Sequence, residues 1–408
     1  MNKNIIICGI LLLCNVFQSY AQESEFEYRR SSLYSLLINH DDQKFANEIK
    51  DAFVKIPVPD KFNDHELSVK VLTMDEKLKG ASKDKENTTV TDFLVRNNIA
   101  SRLVGKWFNR DKFTGECNME LVKERGLYNA STYDQILAEK SARSAALLMD
   151  AGEELIGNTF VVVNDIRYID KSKAGKALGI GLRVLGAAAT VATGNTSWMD
   201  TGDQYADMAE SLKGFKVKIN TFLYRLVWDE ATATTFYKEQ YSAKPDETKK
   251  ENFEKARGTY KLKYVGKVES SGSTTSFLGI KEDEPIMMVR KACQRAIDEN
   301  IASLQNEFEE FRVKTPLVSN TPLTAFIGMK EGITDDSRFE VLEVIENEDG
   351  SREYKRVGII RPIKALIWDN RFMAAEEGAA TAGLGRTTFK KESGGDFLPG
   401  MLIREIKK

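Results

Sequence analysis

The sequence predicts an α+β fold: a helical N-terminal part, a central antiparallel sheet covered by helices, and a small β-barrel-like C-terminal module. Three observations predict it. Residues 160–169, 215–228 and 260–269 are rich in β-branched and aromatic side chains; Phe215, Val217 and Ile219, like Tyr260, Leu262 and Tyr264, alternate with polar residues as strands with one wet face do. Pro285 opens a long run with apolar residues at helical spacing. Beyond residue 320 the chain breaks into short apolar segments divided by turn residues.

Within the N-terminal region, 22–156, Leu33, Leu36, Leu37, Phe45, Ile49 and Phe53 predict a helix over Ser31–Phe53, stopped by Ile56-Pro57-Val58-Pro59. Leu67–Leu72 alternates as a short strand, and residues 78–90, rich in Lys, Asp, Asn and Thr, read as a surface loop. Thr91–Phe108 reads as a helix through Phe93, Leu94, Ile99, Leu103, Val104 and Trp107. A turn follows over Asp111–Asn118, then a short helix over Leu121–Leu127 and a longer one over Tyr133–Leu155 with Asp134 as its N-cap.

The α+β region, 157–320, holds the three strands. In its long helix Val289, Cys293, Ala296, Ile297, Leu304, Phe308 and Phe311 face the sheet, and Glu307, Glu309 and Glu310 face solvent. The β-rich module, 321–408, is predicted to contain strands at Phe339–Ile345, Tyr354–Ile360, Ile363–Trp368 and Met401–Ile406. Glu348-Asp349-Gly350 serves as a hairpin turn, and residues 374–385 form an Ala- and Gly-rich loop.

Residues 1–21 read as a cleavable signal peptide: Lys3, the apolar run Ile5–Leu13, then Ser19-Tyr20-Ala21 with small residues at −3 and −1. Cys8 and Cys14 follow Ile7 and Leu13 rather than a small residue, which argues against lipidation. The chain is therefore expected in the periplasm or outer envelope. At 42% hydrophobic and 29% charged it has material for a core without disulfide staples. Of its four cysteines only Cys117 and Cys293 outlast cleavage. Cys293 lies on the apolar stripe of its helix, so a buried thiol is expected there. With 59 basic and 61 acidic residues and only short basic clusters, the chain has no nucleic-acid-binding face.

One segment stands out. Ala174–Thr193 carries only Lys176 and Arg183 as charges, and Gly175 and Gly179 form a small-xxx-small pair extended by Gly181 and Gly186. Gly175, Gly179, Gly181, Leu182, Leu185, Gly186 and Val191 are the candidate contact residues, for a helix packed within the fold, for a membrane, or for a second copy. Arg183, near the centre, argues against simple spanning. The glycine spacing fits neither G-x-G-x-x-G nor a P-loop, so no nucleotide cofactor is expected.

Catalytic motifs are sparse. The two histidines, His40 and His65, belong to no zinc motif, no G-x-S-x-G elbow is present, and His65 between Asp64 and Glu66 reads as a surface residue. No catalytic, cofactor or metal residue is assigned. The acidic pairs, such as Glu153-Glu154, are adjacent in sequence and do not face one another on a helix.

The C-terminal module carries Gly328–Gly332, Arg338-Phe339-Glu340-Val341, Arg356-Val357-Gly358-Ile359-Ile360 and Leu398-Pro399-Gly400-Met401-Leu402-Ile403. This series of glycine turn, strand, V-G-x-I strand and closing glycine resembles the β-barrel-like C-terminal domain of the flagellar assembly protein T family. The middle region resembles, in topology, the α/β domains of envelope proteins related to the curli secretion channel. The texture as a whole is similar to an uncharacterised secreted family of the Bacteroidetes. The resemblances imply envelope assembly or interaction and carry over no functional residue, because the families' motifs are not matched position by position. The sequence thus points to an exported, non-enzymatic envelope protein with a protein partner or self-association. The alternatives are a peripheral membrane protein anchored through 174–193 and a secreted hydrolase with a carboxylate active site.

Overall fold

The computed structural model describes residues 29–74, 78, 82–129, 152–169, 215–273, 285–346 and 352–406. Its fold class is α+β, built on two sheets. The first contains β1 (Ser32–Asn39), β2 (Asn63–Asp64), β3 (Val71–Thr73), β4 (Thr159–Ile169), β5 (Lys216–Leu226) and β6 (Leu262–Ser273), in the order β2-β1-β4-β5-β6, with β3 also bonded to β1. Strands β4, β5 and β6 form the expected antiparallel run. β1 pairs with β4 in parallel, from Ser32 opposite Thr159 to Ile38 opposite Asp165, so the sheet is mixed rather than purely antiparallel.

β1 corrects the helix expected over Ser31–Phe53. Only the second half of that segment is helical, as α1 (Ala46–Val54). Every residue of β1 except Ser35 is buried. A strand covered on both faces reads as a continuous apolar run, and Leu33, Leu36 and Leu37 fit helical spacing within such a run by chance.

Both faces of the sheet are covered. On one side Tyr34, Leu36, Val161, Val163, Phe222 and Tyr224 pack under α2 (Lys83–Arg96), α3 (Ile99–Trp107), α4 (Glu120–Asn129), α5 (Glu230–Glu239) and α6 (Glu247–Lys255). Helix α2 occupies most of the expected 78–90 loop: the Ser82 side chain caps it by accepting from the Lys85 N–H, and Asp84 and Glu86 in the first turn complement its dipole. Asn98, at φ 53°, divides the helix expected over Thr91–Phe108 into α2 and α3. The helix expected over Tyr133–Leu155 lies mostly outside the described residues.

On the other side Leu33, Leu37, Phe160, Val162, Val217, Ile219 and Leu223 pack against α1 and α7 (Pro285–Glu307). The apolar stripe of α7 is as expected, with Val289, Cys293, Ala296, Ile297 and Leu304 all buried. At its acidic end Glu307 and Glu309 are exposed as expected, Glu309 reaching Arg404 at 2.8 Å on the surface, while Glu310 is half-buried and pairs with Arg225 at 3.2 Å.

The second sheet is antiparallel throughout. Its strands are β7 (Thr315–Pro316), β8 (Ser319–Asn320), β9 (Leu323–Ala325), β10 (Phe339–Glu346), β11 (Arg352–Pro362), β12 (Thr387–Gly394) and β13 (Leu402–Glu405), in the order β7-β13-β10-β11-β12-β9-β8. Its two end strands are joined by Leu317-Val318. The Leu317 N–H bonds to Met401 beside β13, and the Val318 N–H bonds to Thr324 in β9. Two residues reach about 7 Å, so the sheet must curl until its ends meet, around Leu317, Phe339, Val341, Ile360, Phe389 and Ile403. At Gly358, in the V-G-x-I strand, a Cβ would lie 2.4 Å from the Phe397 ring, so glycine lets that ring close over the strand. The strand expected at Ile363–Trp368 is instead a short 3-10 turn at Lys364–Leu366, and the sheet position goes to β12. The turn at Glu348-Asp349-Gly350 lies outside the described residues; the strands it joins pair as expected.

Sheet and helix approach closely where β6 crosses α7. The Ser270 hydroxyl donates to the Ala296 carbonyl at 2.8 Å, and a Cβ at Gly272 would stand 1.9 Å from the Ala292 carbonyl oxygen. Gly272→Ala must push rigid backbone apart and is expected to destabilise the protein by about 1–3 kcal/mol, read from urea denaturation. A substitution at Gly258, where a Cβ meets nothing within 4 Å, should have a far smaller effect.

Candidate functional site

α7 has a second stripe. Lys291, Arg295, Asp298 and Ala302 recur at helical spacing on the side turned toward the C-terminal module. Lys291 and Arg295 both pair with Glu377, the latter at 2.6 Å, and Arg295 also donates twice to the Phe372 carbonyl, at 2.8 and 3.1 Å. A Cβ at Gly332 would sit 3.3 Å from the Ala302 methyl, so the turn carrying Gly332 rests on the helix. Between these contacts lies a cavity of about 410 Å³, in the size class of small-ligand sites. α7 forms its floor, Ser271–Ser273 at the end of β6 one wall, and Met329–Lys330, Gly332 and Arg371 the other.

The second wall is built from short-range hydrogen bonds. Glu331 Oε2 accepts the Gly328 N–H at 2.7 Å and the Asn370 Nδ2 amide at 2.8 Å. Asn370 Oδ1 accepts the Lys330 N–H at 2.8 Å. Gly328 is required here because a Cβ would lie 2.3 Å from the Trp368 carbonyl oxygen, and Gly332 turns the chain at φ +78°. Asp369 grips Arg371 with both carboxylate oxygens, at 2.8 and 2.7 Å. Lys330, Glu331 and Arg371 are therefore held in place at the cleft.

Asp298 is the unusual group. It is 7% exposed, and its Oδ2 has no hydrogen-bond partner. Burial raises its pKa to about 7; of the charges around it, Lys330 and Arg295 lower it, and Glu331 and Asp60 raise it. A carboxyl that titrates near neutrality in a cleft can hold or release a proton, or accept a donor brought by a ligand.

Neither histidine lies at this site. His65, expected at the surface, is fully buried. Its Nε2–H donates to the Leu103 carbonyl at 3.0 Å, which leaves Nδ1 to accept from Arg125 at 2.7 Å. The Arg125 guanidinium also lies over the Trp107 ring at 4.4 Å and donates to the Ser32 hydroxyl. Burial and the Arg125 charge hold His65 neutral, well below its ordinary pKa of 6.5. His40 is buried against Asp165, 2.6 Å from Nε2 to Oδ1. Burial pushes Asp165 up, but the hydrogen bond from His40 and the charge of Arg167 outweigh it and leave its pKa below the usual carboxylate range. Among the described residues no serine, threonine or cysteine hydrogen-bonds either ring. Cys117 and Cys293 are buried free thiols, and burial pushes the Cys293 thiol up to about 12. The segment with Gly175, Gly179, Gly181, Leu182, Leu185, Gly186 and Val191 lies outside the described residues. Among those described, no helix is long and apolar enough to cross a membrane, and no three His, Cys, Asp or Glu side chains cluster to hold a metal.

Fold and cleft together define an α+β protein whose curled C-terminal module closes over one helix of a central mixed sheet. No family model matches the chain, and no curated protein matches it. The cleft residues carry no functional motif in the sequence: Ala296 is expected only in the apolar stripe of its helix, and Met329, Lys330 and Gly332 only in the turn Gly328–Gly332. The one available signal was Asp298 standing in step with Lys291 and Gln294 or Arg295, a polar stripe beside the apolar one.

A carboxyl whose folded pKa lies above its unfolded value stabilises less as pH rises from about 4 to about 7, because unfolding releases it to ionise freely. Asp298→Asn removes this term. Urea denaturation at pH 5 and pH 8 is expected to show the wild type losing a few kcal/mol relative to the variant at the higher pH.

Proposed function

We propose that this chain is an exported envelope protein that acts in protein–protein interaction or assembly and catalyses no reaction of its own. One observation carries the reading: two parts with separate cores close a polar cleft in which Arg295 and Arg371 are already paired with neighbouring carboxylates, while Asp298 Oδ2 at its floor has no hydrogen-bond partner. A recognition site has that pattern, since the open position is for a group the partner supplies. The leader-like residues 1–21 support export. Among the described residues lining the cleft, acid–base chemistry would fall on Asp298, whose pKa burial raises to about 7, and both histidines are committed to internal contacts elsewhere.

The second reading is a secreted hydrolase, favoured by the near-neutral pKa of Asp298, which suits a general acid. The purified protein, residues 22–408, is expected to turn over no peptidoglycan, peptide or ester substrate in an Asp298-dependent way. Crosslinking in intact cells is expected to give a discrete adduct with a protein partner or a second copy. Turnover that Asp298→Asn abolishes would establish the hydrolase. Deleting 174–193 is expected to leave cell fractionation unchanged, with folding checked by circular dichroism; a shift from membrane to soluble fraction would establish the peripheral anchor.

A further inference from the structure

We infer that the cleft over α7 receives a lysine side chain of the protein partner, with Asp298 facing its ammonium group, Glu299 adding negative charge to the lining, and Ala292, Ala296, Ala302 and Met329 lining its methylene stem. The inference rests on the interaction reading above and deepens it.

The first argument is the unpartnered oxygen. A buried acceptor with no donor is costly, and Asp298 Oδ2 finds none in the protein. An ammonium group brings a donor and a compensating charge together. The second argument is which charges remain once pairs are removed. Arg371 is held by both oxygens of Asp369, and Arg295 and Lys291 share Glu377. Glu377 carries one charge against those two cations, so one positive charge remains beside Asp298, Glu299 and Lys330, while Asp60 and Glu331 add two negative charges close to Asp298. The residual field is negative, which disfavours an anion and favours a cation. The third argument is the lining. Three alanines and Met329 give the polar cavity an apolar strip, and a lysine side chain has the same two-part chemistry of apolar stem and charged head.

The test uses calorimetry on the purified protein, residues 22–408, with three probes: acetyl-Gly-Lys-Gly-amide, the same peptide with norleucine in place of lysine, and spermidine. The lysine peptide is expected to bind at least about tenfold more tightly than the norleucine peptide. Its affinity should rise between about pH 6 and pH 8 as Asp298 ionises among Arg295, Glu299, Asp60, Lys330, Glu331 and Arg371. Asp298→Asn should abolish the preference for lysine, and Glu299→Gln should weaken it, with both variants shown to be folded by circular dichroism. Equal binding of the two peptides, equal binding by Asp298→Asn, or tighter binding of spermidine than of the lysine peptide would overturn the inference. Crosslinking separates the two levels. A partner adduct formed without any lysine preference removes the lysine site alone. Lysine binding without a partner adduct removes the protein-interaction reading.

Discussion

The structure depends on one helix being held from both sides. α7 lies against β5 and β6 with its apolar stripe and against the C-terminal module with its polar one. The first contact is close because Gly272 lets the Ala292 carbonyl approach where a Cβ would collide, and because Gly266 leaves room for the Phe308 ring. The second is set by paired charges and by the Gly332 turn resting on Ala302. The cleft is the space the second contact leaves unfilled, so its shape follows from the position of the helix more than from any loop.

Rotation of α7 about its own axis is fixed by a polar chain that crosses the core. Asn300 donates to the Thr221 hydroxyl at 2.8 Å and to the Ile219 carbonyl, and Thr221 donates to Asn164 at 2.8 Å. Buried polar groups of this kind have few alternative partners and therefore specify a single arrangement. Residues two apart on a helix point to nearly opposite sides. Anchoring Asn300 into the sheet thus turns Asp298 away from it, toward the module. The His65–Arg125–Trp107 cluster works similarly on the other face, tying α3 and α4 to the start of β1.

What could be read from the sequence was what local periodicity decides. Strands β4, β5 and β6 alternate or are β-branched, and α7 repeats at helical spacing, so both types were evident. β1 shows no alternation because it is buried on both faces, and part of what covers it, α7, lies far along the chain. The loop expected at 78–90 hid a helix whose Ser82 cap and early acids were present in the sequence but outweighed by its polarity. The cleft was illegible for a different reason. Asp298, Lys330 and Arg371 come from three separate segments, and only the curling of the second sheet and its docking on α7 bring them to one cavity. His65 shows the converse: its polar sequence neighbours suggested a surface position, while its side chain points inward to Leu103 and Arg125.

The parallel pairing of β1 with β4 also bears on when this chain can fold. Ser32 has no interior neighbour until Thr159 is available, and β4 in turn needs Arg225 of β5. Contacts so distant in sequence form late, because the intervening chain must first be brought together. β1, the first strand among the described residues, can pair early with β2 and β3 along one edge, but its other edge stays open until β4 has been made. This order of strands delays closure of the sheet through topology alone, whatever the strength of the individual contacts.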